Sequence, residues 1–205
     1  MSRWLGRSPG QRGDRPLHIR AARPTDCADL AILDDIAGHG LTAEAWGRAA
    51  ANGAGASALE VGRESYLGEA SPCNWRNARI AHVEGLTAGM AVGYHLPAWT
   101  TFPDHPDPLF EPVMSLFRRA IGGWLLDALA VYTRHRGQGL ARRLLADQLE
   151  RAAGHAMALV CADDNAPALS LYAAHGFETA ARAPFVAHGK PRNTREWLLL
   201  KRPAS

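Results

Sequence analysis

Apolar positions along this chain fall in short runs whose period changes from segment to segment. Leu17-His18-Ile19-Arg20-Ala21-Ala22 reads as a first strand. Arg23-Pro24-Thr25-Asp26 reads as a turn, with Thr25 the N-cap of a helix whose inner stripe is Leu30, Leu33 and Ile36 and which ends at His39-Gly40. Residues 42–50 predict a second helical segment, 51–57 a loop of small residues, and Leu59 to Leu67 a helical turn. Arg79 to Tyr94 holds two strand-like runs around Glu84-Gly85, the pattern of a hairpin. A long proline-rich connection, Leu96 to Pro112, leads to a short helix over Val113–Ala120.

The pattern is strongest between Leu125 and Phe177. Leu125 to Tyr132 is an apolar run of strand length, and Leu140 to Leu149 has apolar residues at helical spacing. Between them lies Arg134-His135-Arg136-Gly137-Gln138-Gly139-Leu140-Ala141, so the order is strand, glycine-bearing loop, helix. Met157 to Cys161 reads as a buried strand. Asn165 and Pro167 then mark a helix start and Gly176 a helix stop, which places Asn165, Ala168 and Tyr172 on one helical face. Glu178 to Val186 and Arg195 to Leu200 read as the last two strands, joined through His188-Gly189-Lys190-Pro191.

The strand–loop–helix junction carries chemistry. The first N–H groups of a helix lack intrahelical partners, and the helix dipole adds positive potential there. Glycine lets a ligand approach the backbone, and Arg134, Arg136, Arg142 and Arg143 add cations. Together they predict an anion site, best suited to a phosphate. The run is not a P-loop, because no Gly-Lys-Ser/Thr follows, and it is not Gly-x-Gly-x-x-Gly, because residue 142 is Arg. It fits Arg/Gln-x-x-Gly-x-Gly/Ala in the register Arg136, Gly139, Ala141; a second register, Arg134, Gly137, Gly139, also fits. The first is preferred because Leu140 then opens the apolar face of the helix.

Composition narrows the class. With 205 residues, 47% of them apolar, the chain can bury one good core, and no linker or repeat divides it. Met1 to Pro16 is rich in Arg, Gly and Ser and reads as a flexible arm, leaving 17–205 as one domain. A net charge of +3 is consistent with an anionic cofactor and short of a nucleic-acid tail. The three cysteines are far apart and make neither a metal spacing nor a secreted disulfide framework; no His pairing has metal-ligand spacing either. With no membrane-length apolar run and no signal pattern, a reducing cytoplasm is the expected location.

The glycine loop, followed by Asn165-x-x-Ala168-x-x-x-Tyr172-x-x-x-Gly176-Phe177, resembles the two signatures of the GNAT superfamily of acyl-CoA-dependent N-acetyltransferases, in order and at the family's distance. The resemblance runs from about Leu17 onward. It implies an α/β (α+β) fold: a mixed, mostly antiparallel central sheet of six to seven strands flanked by helices, with the cofactor where two central parallel strands splay. It implies acetyl-CoA as cofactor and acetyl transfer to a primary amine by direct attack. Backbone N–H groups of Arg136, Gly137, Gln138, Gly139, Leu140 and Ala141 would hold the pyrophosphate. The strand at Leu129, Ala130 and Val131 would pair with the pantetheine arm, Asn165 would bond the arm or its neighbouring loop, and Ala168 and Tyr172 would border the cofactor. The first two helices would roof the acceptor side, with Trp46, Asp34 and Asp35 near the entrance. The 96–112 connection would help shape the acceptor pocket.

The chemistry needs a base to take a proton from an alkylammonium and an acid for the departing thiolate. Tyr172 holds the family's acid position, and a phenol is protonated at neutral pH. Asp127 is the candidate base. It is a carboxylate in an apolar strand, and strict alternation puts it on the face of Leu129 and Val131. Some family members place a Glu base there; Asp is shorter, so a water relay is expected. Glu84 is a weaker candidate, His175 reads as a charge at a helix C-terminus, and His135 as a neighbour of the phosphates. The acceptor stays open between a small amine, an amino acid, a polyamine, an antibiotic, a protein N-terminus and a lysine. Two other classes compete: a non-catalytic acyl-CoA sensor, disfavoured by Tyr172 and Asp127, and a nucleic-acid binder using the basic arm. No nucleic acid or membrane partner is expected; a homodimer is compatible with the family.

Overall fold

The computed structural model describes residues 17–102, 104, 107–189 and 191–204; the expected arm over 1–16 lies outside them. Seven strands form one sheet: β1 Leu17–Ala21, β2 Ala78–Val83, β3 Leu86–His95, β4 Trp124–Val131, β5 Met157–Ala162, β6 Glu178–Pro184 and β7 Glu196–Arg202. Their spatial order is β1-β2-β3-β4-β5-β7-β6. Every neighbouring pair is antiparallel except β4–β5. That exception has a chain-level cause, because parallel neighbours need a crossover and the amphipathic run after the glycine loop supplies it.

The helices are α1 Cys27–Ala37, α2 Leu41–Ala51, α3 Ala58–Leu67, α4 Glu111–Arg118, α5 Leu140–Ala152 and α6 Ala166–Ala173. They divide between the two faces of the sheet. Leu30 and Leu33 of α1, Tyr66 of α3 and Leu116 of α4 pack with Ile80, Met90, Val92, Leu125, Ala128 and Ala130 on one face. Leu140, Leu144 and Leu145 of α5 and Tyr172 of α6 pack with Ala91, Leu126, Val131, Leu159 and Leu198 on the other.

Three boundaries differ from the expectation. Thr25 does not cap α1: a short 3-10 turn, Pro24–Asp26, precedes the helix. There Asp26 accepts the Arg23 N–H at 2.7 Å and pairs with Arg20. The turn expected at 59–67 is a full helix, begun by Ser57, whose Oγ accepts the Glu60 N–H at 3.2 Å. Helix α4 starts two residues early, at Glu111, because Pro112 fits a first turn, where its missing N–H costs nothing.

Strand β4 contains the feature that matters most for the site. Val92 pairs with Ala128, but Gly93 pairs with Leu126, so Asp127 is an extra residue opposite no partner. This is a β-bulge, and it resets the alternation of the strand. Leu125, Ala128 and Ala130 share one face, while Leu126 and Val131 share the other with Leu129. The Tyr94 hydroxyl of the α1/α3 face donates to Asp127 Oδ2 at 3.0 Å. Asp127 therefore points to the side opposite Leu129 and Val131, which corrects the face read from strict alternation.

Candidate active site

Strands β4 and β5 pair through three positions, Trp124↔Met157, Leu125↔Ala158 and Leu126↔Leu159. Beyond Leu126 they part. Strand β4 stays with β3 up to Val131, and β5 stays with β7 up to Ala162. A cleft of about 1150 Å³ opens between the diverging strands and is roofed by the α1–α2 turn and the segment before β7. The backbone edge of β4 faces into it. The Tyr132 N–H donates to the Ala88 carbonyl at 2.9 Å, so that residue turns its backbone to β3. By antiparallel alternation Ala130 and Ala128 do the same, and Leu129 and Val131 turn their N–H and C=O groups toward the open side. Of the three β4 residues expected at the cofactor, Leu129 and Val131 thus offer backbone to the cleft, and Ala130 offers only its methyl surface.

At the wide end sits the start of α5. Gly139 is its N-cap at φ 77° and Gly137 before it has φ 73°, a left-handed backbone that costs an L side chain roughly 1–2 kcal/mol. Arg136, Gly137, Gly139, Leu140, Ala141 and Arg142 line the cleft; Gln138 and Arg143 do not. The Arg136 side chain is partly committed, its Nε donating to the Val131 carbonyl at 3.1 Å and tying the loop to the end of β4. His135 is buried, lines the cleft, and receives an Nε contact from Arg134 at 3.0 Å.

Across the cleft, Asn165, Ala168 and Tyr172 all line the wall, as the helical spacing predicted. Asn165 Oδ1 accepts the Ala168 N–H at 3.4 Å, so this side chain caps α6. Tyr172 is 7% exposed and packs edge-on against Phe177. Burial, with Cys161 beside it, pushes its phenol above the usual range, so it holds its proton at neutral pH.

Asp127 lies at the narrow end of the splay. Burial raises its carboxyl pKa, opposed by hydrogen bonds from Cys73 and Tyr94. Asp35 lines the cleft, with its Oδ1 buried and without a hydrogen-bond partner among the described residues. Asp34 points elsewhere, into the core at 8% exposure, where burial and the neighbouring Asp127 push its pKa up to about 8. Trp46 packs at Gly62 of α3 and does not line the cleft. Glu84 sits in the β2–β3 turn away from it, and His175 bonds the Leu171 carbonyl at 2.8 Å at the end of α6.

Sequence reasoning missed one cluster. His39, read only as a helix end, lines the cleft with Asp164, Arg192 and Trp197. Arg192 donates to His39 Nδ1 at 2.9 Å and pairs with Asp164 at 2.9 Å. Burial and that guanidinium lower the His39 pKa to about 4, so its ring is neutral. No spacing announces a group 153 residues from its partner; only the strain at His39, φ 57°, marks it locally.

Comparison with known proteins agrees with this geometry. Residues 87–177, from β3 through the end of α6, match the family model of the acetyltransferase (GNAT) family. No curated protein matches the sequence significantly. Among solved structures, an N-acetyltransferase from Staphylococcus aureus Mu50 superposes with TM-score 0.59 at 18% identity, covering 90% of this chain and 99% of that one. A Salmonella typhimurium protein assigned as an acetyltransferase, determined with its cofactor acetyl-CoA, gives 0.54 at 18%, covering 91% and 93%. The ribosomal-protein-S18-alanine N-acetyltransferase of Escherichia coli gives 0.56 at 17%, covering 93% and 95%. At these identities the structures establish the fold, a seven-stranded, mostly antiparallel sheet with six helices among the described residues. No helix among the described residues is long and apolar enough to cross a membrane. Residues 87–177 thus match the acetyltransferase (GNAT) family, and they sit in a fold that the whole described chain shares with solved acetyltransferases.

Proposed function

We propose that this protein transfers an acetyl group from acetyl-CoA to the primary amine of a cationic acceptor. One observation carries the reading: a single cleft joins an open strand edge, a helix N-terminus with left-handed glycines, a buried phenol and a partly buried carboxylate. Those residues fit the cofactor. The backbone of Leu129 and Val131 suits an amide-bearing arm, and the N–H groups from Gly137 to Ala141, with Arg142, suit a pyrophosphate. Gln138 lies off the cleft wall and only carries the loop between its two glycines, and Ala168 gives the arm an apolar wall beside the capped start of α6.

Bound acetyl-CoA supplies a thioester whose carbonyl is opened by a neutral amine to give an amide and a thiol. The chain's residues handle the protons. Asp127 takes one from the acceptor ammonium, directly or through a water, and burial makes it a better base than an exposed carboxylate. The Tyr172 hydroxyl gives its proton to the departing sulfur and regains one from the nitrogen that has gained the acetyl carbon. The bond formed is C–N and the bond broken is C–S, with one net proton released. Asp35, its buried oxygen unpartnered, is placed to attract a cation to the acceptor side.

The test is calorimetric titration with acetyl-CoA and CoA, followed by a panel of amines monitored for free thiol. Micromolar binding, about −8 kcal/mol, with thiol release by one amine class is the expected result. Binding without release from any amine would leave a sensor of acyl-CoA, and no binding would overturn the cofactor assignment.

A further inference from the structure

The α1–α2 turn puts a side chain on the cleft roof at a position where its backbone resists one. Gly38 and Gly40 flank His39, and His39 itself has φ 57°, the left-handed region that L residues rarely adopt. Such strain persists only where the surrounding structure fixes it. Here the His39 ring stacks on Trp197, with centroids 6.3 Å apart and planes 22° apart. Arg192 Nη1 donates to His39 Nδ1 at 2.9 Å. Arg192 is anchored in turn: its Nη2 donates to Asp164 Oδ1 at 2.9 Å and its Nε to Thr194 Oγ1 at 3.0 Å.

These contacts fix the tautomer. A guanidinium only donates, so His39 Nδ1 must present a lone pair and the hydrogen of the neutral ring sits on Nε2. An imidazolium would set two donors against each other. Burial and then the Arg192 charge act in the same direction, bringing the pKa to about 4; His188 and Arg136 add to them and Asp164 opposes them. Nε2 makes no hydrogen bond among the described residues, and His39 lines the cleft. Trp197 belongs to the core on the α1/α3 face, the face to which Asp127 points, whereas α5 and Tyr172 pack from the other. His39 therefore stands on the Asp127 side of the cleft. Asp35 lies one turn before it, and the Gly40 N–H returns to the Asp35 carbonyl at 3.0 Å. The Arg192 charge is matched by Asp164, and Asp35 and Glu44 line the cleft as well, so an anionic group would meet acids there. An ammonium finds nothing to bond on Nε2–H. An uncharged oxygen matches it.

We propose that His39 is a specificity-determining residue of the acceptor site, its Nε2–H taking an uncharged carbonyl or hydroxyl oxygen on the body of the amine, and that Arg192 is the positioning residue that holds this tautomer. The acceptor role rests on the function proposed above; the tautomer does not. The acceptor is then an amine that carries an uncharged oxygen, as amino alcohols, amino amides and peptide N-termini do, in preference to a plain alkylamine or an amine with a carboxylate. Asp35 draws the ammonium, and His39 selects among cations by their oxygen.

Nitrogen NMR of the full chain, labelled at histidine, reads the tautomer directly. The His39 signals are those missing from His39→Asn, a residue that tolerates the left-handed backbone. The ring should be neutral with its hydrogen on Nε2 at neutral pH and should take up a proton only near pH 4. In Arg192→Met the midpoint should rise toward the ordinary 6.5 and both tautomers should appear. A hydrogen on Nδ1, a cationic ring at neutral pH, or a ring unchanged by Arg192→Met overturns the positioning role. The acceptor role is read with ω-amino alcohols and ω-amino amides of increasing length, each beside the alkylamine that ends in methyl instead. At one length the oxygen-bearing probe should exceed its alkyl match in kcat/KM by about 3–10-fold, through KM. His39→Asn should remove that advantage and leave the Kd of CoA unchanged. The two probe families tell hydroxyl from carbonyl. No advantage at any length, or one that survives His39→Asn, overturns the acceptor role; a weakened CoA Kd in that variant also overturns it, by giving the donor to the cofactor. Should His39→Asn fail to fold, Arg192→Met carries the same comparison. If no amine releases thiol, the acetyl-transfer reading fails and takes the acceptor role with it, while the tautomer stands or falls by itself.

Discussion

Single residues in this cleft are distinguished by what burial does to them. Tyr172 and Asp127 are both pushed toward their protonated forms, with opposite consequences. For the phenol the shift secures a proton to give; for the carboxylate it raises the affinity for a proton to take. Tyr172→Phe should therefore lower turnover by on the order of a hundredfold with a much smaller change in CoA affinity, read by comparing kcat with calorimetric Kd. Equal turnover would leave Tyr172 a packing residue against Phe177. Asp34 makes the complementary case for stability. Its carboxyl titrates at about 8 in the folded chain against an ordinary 3.8, so between those values the folded state holds a proton that the unfolded state has lost. Stability must then fall as pH rises through that window. Thermal melts of Asp34→Asn should show a flatter pH dependence than the parent above pH 4, and an unchanged slope would contradict the buried, protonated assignment.

Elements show where the sequence could be read and where it could not. The glycine loop, its helix and the Asn165–Tyr172 face were legible because each signal is local: a period, a cap, a residue pair three or four apart. The direction of Asp127 was not, because a bulge is a property of two strands and Gly93 lies 34 residues away in the chain. Gly93 itself gives a reason for the irregularity. A Cβ there would collide with Gln148 Oε1 and Trp124 Nε1, so the strand needs glycine beside the bulge. Gly93→Ala should destabilise the fold by about 1–3 kcal/mol in denaturant titrations, through overpacking. Gly139 is a different kind of position. A Cβ there meets nothing within 4 Å, and only the left-handed φ of 77° opposes it. Gly139→Val should cost roughly 1–2 kcal/mol of stability, yet weaken CoA binding about tenfold or more by moving the N–H groups at the start of α5. An unchanged Kd would remove the loop from the cofactor site. The Tyr94–Asp127 contact and the His39–Arg192 pair were illegible for the same reason as the bulge: their members lie on β3 and β4 and in two connecting segments, and only the finished fold brings them within bonding distance.

The whole molecule is two antiparallel half-sheets, β1 to β4 and β5-β7-β6, which as a sheet meet through three paired positions at one end. Its mixed, mostly antiparallel sheet with two central parallel strands was expected from the family resemblance. The point at which the halves part was not, since Leu125 to Val131 and Met157 to Cys161 are equally apolar above and below it. A ligand lying between the halves touches both, so it should act on global stability as well as on the site. At a hundred times its Kd, acetyl-CoA should add about 2.7 kcal/mol. For a chain of this size that amounts to roughly 5–10 °C in Tm by differential scanning calorimetry. No shift at saturating concentration would place the ligand outside the cleft.

The open edge of β4 also has a consequence on a slower timescale. Amide protons that face a cleft exchange with solvent, whereas those that face a neighbouring strand wait for the sheet to open. In the free protein the amides of Leu129 and Val131 should therefore label with deuterium in advance of Ala130, which lies between them. Loading the cleft should slow Leu129 and Val131 and leave Ala130 nearly as it was. Such an every-other-residue footprint is the trace of one more strand laid into the sheet, with the cofactor standing in for polypeptide.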